Sequence, residues 1–349
     1  MNNRQSNIEL FRIVATLFIV ILHCNGWFLQ LKGIDNWWYG GTNVAIARTL
    51  IQSVTCIGVD CFVLISGFFG IRPSVKSLMR LFSCLMFFYV GGYLWECGLE
   101  GTIFTWKHFI KNCLAFSRDN WFIQCYLFLI LLSPALNALM EKLTFRRATF
   151  YLTIFLACAL YFGCIWNHDA FYFNRGYSVT TFVLIYLVGR YVKLHLLERV
   201  DAVKSIYLFA LYGICVIALM VMYLYIPYTG LLWYCSPMLI VPSVLLLILF
   251  NRLNFESKVV NSIGISALAV YIFHTSTPAF SYIVDWDAEW FQNFSYINYA
   301  ARMAALVAGV FAFAVLLDKI RILLFAPLIK YSGKMDELIK GKLNTKNDA

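Results

Sequence analysis

The chain has 349 residues, 61% of them hydrophobic and only 13% charged, with a mean hydropathy of +0.73 and a formal net charge of +10. This composition excludes a soluble globular domain and predicts an all-α polytopic membrane helix bundle. The basic excess would suit nucleic acid, but its distribution along the chain reads as a topology signal and excludes that partner.

The first apolar run, 8–28, is too long for a cleavable signal peptide, and no small-residue cleavage site follows it. About 20 helical residues cross a bilayer, so the run is long enough to span. Ser6 and Glu9 have capping-box spacing, which predicts a helix start near Asn7. Nine further runs follow, roughly at 50–70, 78–97, 121–140, 149–166, 178–197, 204–226, 231–250, 264–284 and 298–317. Ser133–Pro134 and Ser236–Pro237 read as kinks. The tail from 320 to 349 holds an apolar stretch too short to cross again, and is expected at the cytoplasmic surface of a single membrane domain.

Lys/Arg bias orients these spans. With the N-terminus in the cytoplasm, twenty basic residues fall on the inner side. Seven fall outside: Lys32, Arg48, Lys107, Lys111, Arg118, Arg175 and Arg302. Both termini are then cytoplasmic, and larger outer loops lie at 29–49, 98–120 and 285–297. Trp37, Trp38, Trp106, Trp121, Trp286 and Trp290 sit in or beside them, as an interfacial belt or as faces that stack on sugar rings. The eleven cysteines are scattered, with no metal-binding spacing, so no metal site is expected. Cys97 and Cys113 flank one outer loop and are the candidate disulfide.

Two ionisable residues occupy the first run, Arg12 and His23. Eleven residues make three turns plus about 20°, so both lie on one face, roughly 16 Å apart along the axis. Charge at membrane depth is costly and usually lines a cavity or a reaction path. Asp60, in the second run, would reach His23 if the first two helices pack antiparallel. A carboxylate there would orient the imidazole as a general base. Arg72, Lys76 and Arg80 approach from the cytoplasmic side as a candidate phosphate site beside Arg12, with Arg190 and Lys193 as further members. Tyr271 lies one turn before His274 in AVYIFHTSTPAF, which suits either a polar pocket within the membrane or a hydrogen-bonded histidine between helices. Gly58, Ser66 and Gly67 suit close helix packing.

Taken in order, these motifs resemble the acyltransferase family three integral-membrane proteins. The resemblance rests on Arg12 and His23 separated by ten residues, on GVDCFVLISGFF (58–69) and on the basic run ending at Arg80. It continues through NWFIQCYLFLILLSPAL (120–136) and VYIFHTS (270–276). The resemblance implies transfer of an acyl group, usually acetyl, from cytoplasmic acetyl-CoA to a sugar hydroxyl. The acceptor would be a surface polysaccharide or its lipid-linked precursor at the bacterial inner membrane. Arg12, Arg72, Lys76 and Arg80 would hold the CoA phosphates, although Arg72, Lys76 and Arg80 stand where the family has an Arg-x-Arg pair. His23 would be the catalytic base with Asp60 behind it, and Trp121, Tyr271 and His274 would face the substrate. The rival reading is a transporter or flippase that uses Arg12, His23 and Asp60 as substrate or proton sites. Such a protein more often shows inverted repeats and paired broken helices, which this sequence lacks.

Overall fold

The computed structural model describes residues 5–28, 42–115, 120–166, 171–225 and 229–347. The first helix, α1 (Ser6–Leu22), continues as a π-helical turn over His23–Phe28. The capping box does not form. The Ser6 hydroxyl instead accepts from the Ser257 N–H (2.9 Å), and Glu9 pairs with Arg12 (2.9 Å). Helix α2 (Thr42–Thr55) breaks at Cys56 and Ile57 before α3 (Gly58–Phe69), so eight residues expected in an outer loop are helical; residues 29–41, with Trp37 and Trp38, lie outside the described residues. Then come α4 (Val75–Leu99), the short α5 (Trp106–Cys113), α6 (Trp121–Lys142) and α7 (Phe145–Cys158), which continues as a π-helical segment to Ile165. Next are α8 (Val179–Tyr191), α9 (Leu197–Val200), α10 (Ser205–Tyr225), α11 (Pro237–Asn251), α12 (Lys258–Gly264) and α13 (Ala267–Ser276). The chain closes with α14 (Ala279–Asn293), α15 (Tyr296–Leu324) and α16 (Ala326–Asn347).

Among the described residues, nine helical stretches are long and apolar enough to cross a membrane. The eighth of the ten expected runs is the exception. Ser236 caps α11 by accepting from the Met238 N–H (3.2 Å), and Pro237 takes the first turn, so this pair starts a helix instead of kinking one. The resulting 15 residues are short for a span. The helix packs on α1, α3 and α10, where Leu239, Ser243, Leu247 and Ile248 are buried. Pro134, by contrast, does lie within α6. The run expected over 264–284 ends at Ser276, and Pro278 opens a separate helix, α14.

Helix α3 is the hub, packed against α1, α8 and α11. It approaches α8 through two glycines. A Cβ on Gly67 would strike the Tyr186 backbone, and one on Gly189 would strike the Leu64 carbonyl. Without a hydrophobic drive between helices in lipid, such close backbone approach is what small residues supply. Helix α15 continues through 320, and α16 then packs along α4. There the Asp336 carboxylate accepts from the backbone N–H groups of Val75 (2.7 Å) and Lys76 (3.0 Å). A carboxylate at a helix N-terminus meets both orphan donors and the positive end of the dipole.

Candidate active site

Two cavities open towards opposite ends of the bundle, and α1 lines both. The first, of about 690 Å³, lies at the end that carries Arg72, Lys76 and Arg80. Arg12 joins those three on its wall, as the sequence predicts. Ser77 is also there, on the first turn of α4, where the Ser74 hydroxyl caps the helix by accepting from the Ser77 N–H (3.1 Å). Two further cations were not singled out in the sequence, Arg321 from α15 and Lys330 from α16. Arg321 is set in place by Asp318 (2.6 Å) and by donating to the Ser83 hydroxyl (2.9 Å). The Asp-x-x-Arg spacing at the end of the last apolar run was the available signal. Arg190 and Lys193 do not join this cavity. Arg190 pairs with Glu141 (2.8 Å), and the Lys193 ammonium sits 4.8 Å from the centre of the Phe68 ring.

The second cavity, of about 560 Å³, contains His23. Its aromatic wall includes Trp121, Tyr177, Trp233, Tyr234 and Tyr271. Tyr234 lies nearly parallel to Trp121 (6.1 Å, 17°) and edge-on to Tyr177 (5.4 Å, 71°). Burial pushes the phenol pKa of Tyr177 up and that of Tyr234 well up, so both stay neutral hydroxyls. Asn120 caps α6 by accepting from the Ile123 N–H (3.2 Å) and donates to the Ser276 hydroxyl (3.3 Å), which fixes polar groups beside the rings. Arg175 lines the same cavity from a left-handed turn (φ 57°), its guanidinium 5.4 Å from the centre of the Trp233 ring. A non-glycine residue held in that region is strained, a condition that clusters at functional sites. Flat aromatic faces with fixed polar groups between them suit a sugar-like ligand. Of this set the sequence singled out Trp121 and Tyr271. The others lie on short irregular segments that carry no periodic signal.

The partner of His23 is not the residue expected. Asp60 is fully buried, and neither carboxylate oxygen has a hydrogen-bond partner. Its electrostatic neighbours include Cys56 and Tyr234. The face of α3 that carries Gly58 packs on Ala15 and Ile19 of α1, and Asp60 makes no hydrogen bond to the imidazole's Nδ1. That position is taken by His274, whose Nε2 lies 3.0 Å from His23 Nδ1. His274 is fully buried and, unlike His23, is not among the residues that line the cavity.

The bonding order can be assigned from one end. His274 Nδ1 lies 2.7 Å from the Val270 carbonyl, which can only accept, so His274 donates through Nδ1. Its Nε2 is then an acceptor, and His23 donates to it through Nδ1. The neutral His23 therefore carries its basic lone pair on Nε2. A carbonyl–imidazole–imidazole chain sets the tautomer that a carboxylate would otherwise set. His23 also opens the π-helical turn, a local widening common at functional sites.

Residues 5–319 match the family model Acyl_transf_3, described as an acyltransferase domain. No curated protein and no solved structure matches the chain.

Proposed function

The chain belongs to the acyltransferase family 3 domain proteins and is a multi-pass membrane acyltransferase, and on that premise we propose that it moves acetyl from cytoplasmic acetyl-CoA to a sugar hydroxyl. The acceptor in this reading is a surface polysaccharide or its lipid-linked precursor, and the membrane is the bacterial inner membrane. The observation that carries the reading is the placement of α1, with Arg12 in a cation-lined cavity and His23 in an aromatic one.

The nucleotide phosphates of the donor bind Arg12, Arg72, Lys76 and Arg80, since phosphate recognition favours guanidinium and ammonium donors. Arg321 and Lys330 add charge to the same wall. The rise from Arg12 to His23, roughly 16 Å, is on the order of the length of the pantetheine arm, so the thioester reaches the His23 level. The sugar lies against Trp121 and Tyr234. His23 Nε2 takes the hydroxyl proton as the oxygen attacks the thioester carbonyl. The tetrahedral intermediate collapses with cleavage of the C–S bond, and the His23 proton passes to the departing thiolate. His274 accepts from His23 Nδ1 throughout and stabilises the imidazolium. Incubating membranes with radiolabelled acetyl-CoA and the native glycan tests the reading. Label should enter the glycan with wild-type protein and not with His23→Ala, and equal labelling by a well-expressed His23→Ala variant would overturn it.

A further inference from the structure

Two buried thiols meet in the wall behind the aromatic cavity. The Sγ atoms of Cys164 and Cys235 are 3.5 Å apart, and both residues are fully buried. Cys164 lies in the π-helical extension of α7, and Cys235 immediately precedes the cap of α11, 71 residues further along the chain. Gly163 makes room for the approach, since a Cβ there would come within 3.1 Å of the Cys235 sulfur and 3.0 Å of the Phe173 ring.

Both thiols sit at the end of the bundle opposite the basic cluster. Helix α7 begins at Arg146 and Arg147 and runs away from them to Ile165. Helix α11 ends at Asn251, and Arg252 just after it donates to the carbonyls of Val200 (2.6 Å) and Val203 (2.7 Å) on the basic side, so the start of the helix lies at the far end. By the Lys/Arg bias that far end faces the outer, oxidising compartment.

We propose that Cys164 and Cys235 form a disulfide in the mature protein, and that this bond holds the aromatic wall of the outer cavity. The sulfurs are already in contact, and side-chain rotation brings them to the bonding distance of about 2.05 Å. The oxidant is a protein disulfide of the outer compartment's thiol–disulfide exchange machinery. One cysteine thiolate attacks that disulfide to give a mixed disulfide. The second thiolate then displaces the oxidant's remaining sulfur, and the oxidant leaves as a dithiol. The pair loses two electrons and two protons, and the oxidant gains both. Because the folded wall covers both sulfurs, the exchange takes place while the segment before α11 is still packing.

The bond acts next to the ligand-facing surface. Tyr234 is the residue before Cys235, and its ring meets Trp121 and Tyr177 across the cavity wall. Gly176, at φ 94°, lets the Tyr172–Tyr177 turn press directly on Tyr234, where a Cβ would come within 2.5 Å of Tyr234 Cβ. A bond from Cys235 to the end of α7 therefore fixes the register of these two segments. Cys97 and Cys113, the pair suggested by the sequence, are only partly buried, and they, like Cys164 and Cys235, are thiols in this structure.

Membranes dissolved in SDS with excess N-ethylmaleimide, then digested for mass spectrometry with and without reductant, test the bond. In most molecules the peptides bearing Cys164 and Cys235 should run as one species, about 2 Da lighter than the pair, that separates on reduction. Maleimide on both cysteines before reduction, or either one joined to a different cysteine, would overturn the proposal. A reductant should also lower the melting temperature of the detergent-purified wild type and leave that of the Cys164→Ala/Cys235→Ala double variant unchanged. An equal fall in both would show that the bond does not hold this wall.

Discussion

Replacing His274 by alanine separates a tautomer-setting role from simple packing. In the wild type, His23 donates through Nδ1 to His274 Nε2 at 3.0 Å, and the Val270 carbonyl holds His274 in place at 2.7 Å. Removing the second ring leaves the His23 Nδ1–H without that acceptor and removes the bias towards a basic Nε2. In the transition state His23 is cationic, and a hydrogen bond to a charged group is worth about 1.5–3 kcal/mol. At about 1.4 kcal/mol per tenfold, His274→Ala should lower kcat roughly 10- to 150-fold. Loss of His23 itself, the base, should cost about 10²–10⁴-fold. His274→Gln retains an acceptor oxygen and should recover part of the loss. The assay is the initial rate of label transfer from acetyl-CoA, normalised to membrane-inserted protein and measured across pH. His23→Ala/His274→Ala should be little worse than His23→Ala, because the two rings act as one unit. Full activity in His274→Ala, or full additivity in the double variant, would refute the relay.

Arg80→Ala should raise the KM for acetyl-CoA roughly tenfold or more while leaving the acceptor KM within a factor of a few, as loss of a charge-assisted phosphate contact predicts; donor saturation curves check it. Asp287, on α14 outside the spans, accepts from the Tyr299 hydroxyl (2.8 Å), and burial pushes its pKa up to about 7. An acid whose folded pKa is raised contributes stability that is complete below its unfolded pKa, near 3.8, and is lost as pH rises through about 7. The melting temperature in detergent should therefore fall across that window, and Asp287→Asn should flatten the fall. Gly67→Ala drives a Cβ into the Tyr186 backbone and should cut the amount of folded protein in membranes, by overpacking of roughly 1–3 kcal/mol or more. Asp60→Asn should leave the pH dependence of transfer unchanged, since Asp60 makes no hydrogen bond to the imidazole; a profile displaced as in His274→Ala would restore Asp60 as the orienting group.

The stripe on α1 was legible because a helix of known rise converts spacing into position. Arg12 and His23 reach the two cavities as that spacing implies, and Arg72, Lys76 and Arg80 join Arg12 by the same logic. What spacing within one helix cannot supply is the partner across an interface. His274 lies 251 residues from His23 in the chain. The sequence pointed to Asp60 as the partner and to His274 as a residue facing the substrate. The choice between them is made by packing, through Gly58 on Ala15 and Ile19 and through the docking of α13 on α1. The π-helical turn at His23 was equally hidden, because it depends on how α2 and α14 pack over the end of α1. The break between α13 and α14 was partly legible in Pro278.

Between the two cavities stands one buried ring, Phe122. Its neighbours on the basic side are Phe62 (5.9 Å) and Tyr126 (6.0 Å), both lining the first cavity. On the other side they are Tyr271 (5.0 Å) and Trp121 (5.9 Å), both lining the second. Phe122, one residue after Trp121 on α6, thus touches aromatic residues of both linings. In the proposed reaction the polar head of the donor would stay with Arg12 and Arg80, and the acceptor with Trp121 and Tyr234. Only the thioester would then have to pass this ring. In that reaction the ring of Phe122 would stand between the donor's cavity and the acceptor's.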